Sequence, residues 1–229
     1  RMSAVFGATG RGGNEGINIR GLEGNQVMLQ VDGVRLPMVY ASGPVVAGRG
    51  DYIDVEAFKR VELLRGPSST SYGSDGLAGA VSFVTKDPAD LLTLGKPTQA
   101  GLKLGYASAD RSWTTVPSFA LRSGDVEAML LASLRRGHET ETRGDRDVPN
   151  MSRTVPNTQD TRSDYVLGKL VCRIDARQKL KFSAEHLDRR IATTVYTLFG
   201  DPSYTTTTDV RARENIQRSL LKADYEYAD

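Results

Sequence analysis

The sequence predicts two unlike parts in one chain: a small mixed α+β unit over residues 1–90, and antiparallel β-strands over residues 98–229 patterned like a membrane β-barrel wall. Three observations predict this. Short strands punctuated by glycine, with one brief helical start, fill the first part. Segments near the roughly ten residues that a tilted membrane strand requires, alternating apolar and polar, fill the second. Between those segments, tight turns lie on one side and long polar loops on the other, the loop near Asp110 being short for its side, which is the asymmetry of an outer-membrane barrel.

Composition narrows the classes. The 229 residues carry 30 Lys and Arg against 28 Asp and Glu, a net charge of +2, too balanced to indicate a nucleic-acid partner. No run of about 18 apolar residues exists, which excludes a membrane-spanning helix but not barrel strands, whose alternation leaves no hydropathy peak. The single Cys172 excludes an internal disulfide and a thiolate-rich zinc site. His138 and His186 lie far apart, so no local metal motif is offered. Arg1-Met2-Ser3-Ala4 leads into a glycine-rich loop rather than a signal peptide, and Tyr225 to Asp229 stops inside a strand pattern. The expectation is a fragment.

In the first part, Gly7, Gly10 and Gly13 have the spacing of a dinucleotide-binding turn. That chemistry needs a helix after the glycines to face a pyrophosphate. Asn14 to Gly21, with its alternating isoleucines, reads instead as loop and strand. Asp32-Gly33 between Gln26–Val31 and Val34–Tyr40 predicts a hairpin, because both turn positions tolerate positive φ. Val27, Leu29 and Val31 would share one face, with Met28 and Gln30 opposite, and Pro37 marks an edge or strand end. Residues 41–51 form a second glycine-rich loop. Asp54 is placed to cap a short helix running to about Lys59. Val61, Leu63 and Arg65 then alternate with Glu62 and Leu64 as a strand that Gly66-Pro67 stops. Ser68 to Tyr72 reads as another helical turn. Gly73, Gly76 and Gly79 turn the chain into the extended run Ala80 to Thr85, and Leu91 to Pro97 reads as a linker.

In the second part six strands are expected. Leu102, Leu104 and Tyr106 open the series; Trp113 to Arg122 comes next with a poorer pattern because of Pro117. Val126, Ala128, Leu130, Ala132 and Leu134 share a face of the third; Val166, Leu170 and Ile174 share one of the fourth. Leu180 to Ala192 and a strand carrying Leu221, Ala223, Tyr225 and Tyr227 complete the set. Ser123-Gly124-Asp125 and Asp175 to Lys179 are tight turns, whereas residues 137–162 and about 193–213 are long polar loops. Alternation alone fits a soluble β-sandwich, in a binding module or adhesin, as well as a barrel.

Ile19-Arg20-Gly21, Val31-Asp32-Gly33-Val34-Arg35, Val61 to Pro67, Tyr72-Gly73 and Gly79-Ala80-Val81 succeed one another as they do in TonB-dependent outer-membrane receptors, and the chain resembles that family over almost its whole length. The wording of residues 22–37 and 80–92 is most similar to the haem, haemoglobin and transferrin-type branch. The resemblance implies a plug domain over residues 1–90 without its first part and TonB box, a linker over 91–97, and about six strands of a 22-stranded barrel. It implies a transporter rather than an enzyme, in the outer membrane of a Gram-negative bacterium, surrounded by lipid and coupled to the inner-membrane TonB complex. The transported ligand would be haem, free or from a host haem protein, with a ferric siderophore as the alternative. The protein itself would carry no cofactor.

The same resemblance assigns Arg20, Arg65 and Glu62 to a lock between plug and barrel, and guanidinium–carboxylate pairing suits that role. Haem-transporting relatives use histidines, yet the apical loops here contain none, which leaves Tyr40 or Tyr52 as tyrosinate candidates. Arg11, Asn14 and Arg49 would meet an anionic ligand, and His138 one reaching the outer loop. Six strands cannot close a barrel, and an open sheet leaves backbone groups unpaired in lipid. A receptor-deficient strain carrying only these residues is therefore expected not to take up iron chelates; growth on such a chelate as sole iron source would contradict the partial-barrel reading.

Overall fold

The computed structural model describes residues 5–9, 15–19, 21–22, 26–37, 52–66, 76–202, 206 and 209–228. The chain divides into two units, Arg1–Asp90 and Leu91–Asp229.

The first unit begins with a hairpin of β1 (Val5–Thr9) and β2 (Glu15–Ile19). A strand rather than a helix thus comes after the glycine loop, and the dinucleotide spacing lacks the setting it needs. The rest is a four-stranded sheet in the order β4-β3-β6-β5, formed by β3 (Val27–Val31), β4 (Val34–Arg35), β5 (Phe58–Arg65) and β6 (Gly79–Thr85). Asp32 and Gly33 turn β3 into β4 with φ of 46° and 80°, the positive pair that a two-residue hairpin requires. Short β4 lies at the sheet edge, where Pro37 does no harm.

Both faces of β3 are covered, so all five of its residues are buried rather than only Val27, Leu29 and Val31. Gln30 is satisfied there by donating to Ser82 Oγ of the neighbouring β6 at 3.0 Å. Ile19, Leu29, Val31, Val81 and Phe83 form the centre of the core. The Asp32 carboxylate also accepts from Thr85 N at 2.9 Å and from the Thr85 hydroxyl, which ties the hairpin turn to the end of β6.

The helix expected after Asp54 is a single 3₁₀ turn, Val55–Ala57, with Asp54 Oδ1 accepting from Glu56 N at 2.9 Å. It ends early because Phe58 is already extended and stacks on Phe83 of the adjacent strand, ring centroids 4.9 Å apart. Lys59 is held in β5 by Asp87 at 2.6 Å and Asp90 at 3.3 Å. Partial burial pulls the Lys59 pKa down, but the hydrogen bond to Asp87 and the two carboxylate charges outweigh it and hold the ammonium above its usual value. The turn foreseen over residues 68–72 lies outside the described residues.

The second unit comes after a one-turn helix at Pro88–Leu91. It is a six-stranded antiparallel meander: β7 (Thr98–Ala107), β8 (Ser112–Ser123), β9 (Val126–His138), β10 (Gln159–Arg173), β11 (Gln178–Thr194) and β12 (Arg211–Tyr227). The register places Leu104, Leu130, Leu134, Val166, Leu170, Phe182, Leu221 and Tyr225 on one exposed face. Tyr165, Leu167, Leu187, Glu127 and Glu185 lie on the other and are buried. Against β9 the register of β8 skips Val116 and Pro117, consistent with a proline that cannot donate to a ladder. Two strands extend past their expected starts, β10 to Gln159 and β12 to Arg211, because paired charges replace apolar residues there while the backbone ladder continues.

Gly79 is the tightest of the described glycines in the first unit. Its φ is 147°, and a Cβ there would lie 2.2 Å from the Leu64 carbonyl oxygen. Gly79→Ala is expected to destabilise this unit by on the order of 2 kcal/mol or more, read as faster tryptic cleavage within residues 1–90 of the whole protein. Gly33→Asn, at a positive φ with nothing within 4 Å, is expected to be tolerated.

Candidate functional site

The connections of the meander fall into two sets. Two residues, Gly124 and Asp125, join β8 to β9, and residues 174–177 join β10 to β11 at the same end. The opposite end carries residues 108–111, 139–158 and 195–210. The long segment 139–158 is folded, and its base, body and contact with the next loop can each be traced to named side chains.

At its base, His138 N donates to Asp110 O at 2.9 Å and Glu141 N to Ala109 O at 2.7 Å. Arg135 reaches Asp110 Oδ2 at 2.5 Å, and Arg111 reaches Glu139 Oε1 at 2.5 Å. The other Glu139 oxygen accepts from Gln159 N at 2.9 Å, so this carboxylate spans both ends of the segment. Burial raises the pKa of Asp110 and Glu139, but hydrogen bonds outweigh it, from Ser112 and Arg135 to Asp110 and from backbone amides to Glu139, with the charges of Arg111 and His138 also favouring ionised Glu139. Both carboxyls are held below their ordinary range.

In the body, Thr154 Oγ1 accepts from Asp145 N at 3.1 Å and Arg146 N at 2.8 Å, while Thr154 N donates to Arg146 O at 3.0 Å. Gly144 fits against this turn only without a side chain, since a Cβ would lie 1.8 Å from Thr154 O. Arg153 is 6% exposed; it pairs with Asp147, donates from Nη2 to Pro156 O at 3.0 Å and lies 4.8 Å from the centre of the Tyr196 ring. A desolvated arginine on an aromatic face contributes about 2 kcal/mol. Asn157 and Thr197 exchange two hydrogen bonds, 3.1 and 3.2 Å, and Tyr196 meets Phe199 edge-on. Residues 153–157 of the one loop and 196–199 of the next therefore pack together.

Of the residues singled out in the sequence, Arg11, Asn14, Arg20, Tyr40 and Arg49 lie outside the described set. Arg65 ends β5 and is exposed. Glu62 is exposed too, but lies an odd number of residues away on the strand and so faces the opposite side; it accepts from Arg60 Nε at 2.7 Å. The structure does not bring Glu62 and Arg65 together. Tyr52 packs against the hydrophobic core. His138 shares the face of Arg136 and Leu134, and its Nδ1 lies 3.3 Å from Asp160. Sequence reasoning missed Gly144, Arg153 and Tyr196. Threonine-, arginine- and aspartate-rich composition marked these loops as polar, and only the pairing across the two loops reveals a scaffold.

A glycine-rich α+β unit followed by an antiparallel meander, with an exposed apolar face and folded loops at one end, has the order of parts of an outer-membrane barrel protein in which a plug precedes the wall strands. Residues 1–80 match the TonB-dependent Receptor Plug Domain. Transferrin-binding protein A of Neisseria meningitidis serogroup B is 35% identical over 156 residues, which is 64% of this chain and 17% of that protein. A probable hemoglobin and hemoglobin-haptoglobin-binding protein of Haemophilus influenzae is 33% identical over 156 residues, 63% of this chain and 16% of that protein. The FrpB iron transporter from N. meningitidis (F3-3 variant) superposes with a TM-score of 0.70 at 23% identity, covering 96% of this chain and 33% of that one. The chain belongs to the TonB-dependent receptors, and its matches cover less than a fifth of the two relatives described.

The base of segment 139–158 carries a pH dependence. Its carboxyls titrate lower when folded than when unfolded, so their contribution is complete above the unfolded values near pH 4 and is lost as pH falls through the folded values. Hydrogen exchange in residues 139–158 is expected to stay slow from neutral pH to about 4, after correction for intrinsic rates, and to quicken in stronger acid. Glu139→Gln should remove part of that change.

Proposed function

We propose that the chain is part of a Gram-negative outer-membrane receptor that docks a host iron- or haem-carrying protein and imports the iron source under TonB coupling. The carrying observation is the set of relatives: proteins named for binding transferrin, lactoferrin and hemoglobin match 59–75% of this chain at 30–35% identity. The packing between the two loops supports this reading, because residues 153–157 and 196–199, joined through Arg153–Tyr196 and Asn157–Thr197, offer a preorganised polar surface. Preorganisation lowers the ordering cost of docking a large partner. The receptor acts by binding and transport, with no chemical conversion of its cargo.

In this reading Arg20 and Arg65 hold the plug against carboxylates of the wall, and Arg11, Asn14 and Arg49 line the approach to it. The described candidates for an axial haem ligand favour other roles: the ring of Tyr52 lies on the core, and the imidazole of His138 faces Asp160. Haem delivered on a carrier protein therefore suits the chain better than capture of free haem by these two residues. A ferric-siderophore cargo is the second reading. The FpvA pyoverdine receptor of P. aeruginosa shares the fold with a TM-score of 0.67, at 15% identity.

Binding of the whole receptor to immobilised transferrin, lactoferrin and hemoglobin separates these readings. Saturable binding to one of them is expected, weakened at least about tenfold when residues 140–157 are replaced by a short Gly-Ser link, as loss of a central contact region predicts. High affinity for a free ferric siderophore with no binding to any host protein would replace the proposal with its alternative.

A further inference from the structure

We propose that the exposed face of the second unit carries a binding site for the phosphorylated headgroup of an outer-leaflet glycolipid, built from Arg136, Arg162, Arg190 and Arg213. This rests on the reading that the unit is an outer-membrane wall with its long loops outside. Register alone places Arg136 beside Arg162 and Arg162 beside Arg190, so three adjacent strands present one row of guanidinium groups. Arg213 lies beside Ala192 in the next row outward. The four arginines, with Asn215, line a groove of about 380 Å³.

The row sits where a charged site would meet lipid headgroups rather than cargo. Its residues are on the same face as the apolar belt, which excludes the lumen side. Tyr106 and Trp113 continue the same row and pack at 4.8 Å, an aromatic pair suited to a membrane interface. On β9, Arg136 is the next residue outward from Leu134 on that face. On β10, Asp164 comes between Val166 and Arg162, and on β11, His186 and Asp188 come between Ala184 and Arg190. The guanidiniums thus stand at graded distances above the hydrocarbon. A headgroup with phosphates at more than one depth matches that grading; a thin phospholipid headgroup does not.

Carboxylates position the row without filling it. Asp164 meets Arg136 and Arg162 at 2.7 Å each, and Asp188 meets Arg190 at 2.9 Å, all from the membrane side. Asp160 lines the groove beside His138. Arg162 gives Nε to Asp164 and Arg190 gives Nε and Nη2 to Asp188. Each guanidinium has five N–H donors, so N–H groups beyond those remain for a phosphate. Arg213 is exposed and makes no ion pair among the described residues.

The test uses the whole receptor in nanodiscs of phosphatidylcholine containing rough lipopolysaccharide, phosphatidylglycerol or neither, with retained lipid read by native mass spectrometry. Preferential retention of the lipopolysaccharide is expected, declining with salt. Arg213→Gln alone should lower retention about fivefold, as one interfacial cation predicts. The triple change Arg136→Gln, Arg162→Gln, Arg190→Gln should lower it more than tenfold, with heat-modifiable migration confirming a folded barrel. Arg211→Gln, whose partner is Asp209 at 3.1 Å, should not. Unchanged retention in the Arg213 variant, equal retention of phosphatidylglycerol, or complete displacement by about 10 mM inorganic phosphate, a concentration too low to screen the site strongly, would overturn the proposal. Host-protein binding is a separate readout, so failure of either reading does not mask the other.

Discussion

Hydrocarbon offers a backbone amide no partner, and that constraint organises the second unit. Every strand that crosses a membrane must satisfy its amides from its neighbours, so β7 to β12 pair in one unbroken meander. The same requirement acts on polar side chains. On the buried face Glu127 is met by Arg122 at 2.8 Å and Arg173 at 3.2 Å, so one carboxylate links β8, β9 and β10. Glu185 accepts from Tyr165 and Arg218 and links β10, β11 and β12 in the same way. A buried charge without partners costs several kcal/mol, so the partners of the buried Glu127 and Glu185 act as cross-braces that keep both carboxylates satisfied.

The first unit answers a different constraint, close approach of backbones around a small core. β3 and β6 run parallel, so the chain must travel far between them, and it returns through Gly79 against the carbonyl of Leu64. Asp32 then secures both ends of the arrangement, turning β3 into β4 while its carboxylate holds Thr85 of β6. A residue read first as half of a turn signal is also a long-range clasp.

Legibility in the sequence tracked the range of the interaction responsible. The Asp32-Gly33 hairpin, the alternating faces of β9 and β10 and the short-turn/long-loop asymmetry are local and were readable directly. The helix expected to reach Lys59 stopped at Ala57, because the stacking of Phe58 on Phe83 lies outside any local pattern. Strand tips faded where Arg162, Asp164, Asp188 and Arg190 replaced apolar residues, although their ladders continued. The order imposed on the long loops by Gly144, Arg153 and Tyr196 depends on residues that meet only after folding. Glu62 and Arg65 show the converse: a motif names both, yet a strand's two-residue period sends them to opposite sides.

The upper limit of the apolar face also encodes an angle. Tyr106 stands in the same register row as Asn215, yet on β12 the apolar residues begin only at Leu221, six positions further along. That descent is about 20 Å along the strands, across five strand spacings that total about 24 Å. A flat hydrocarbon boundary crossing the sheet with that slope requires strands inclined by about 40°, within the range of closed barrels. The slant of the wall is thus written into which residue on each strand is the last to be greasy.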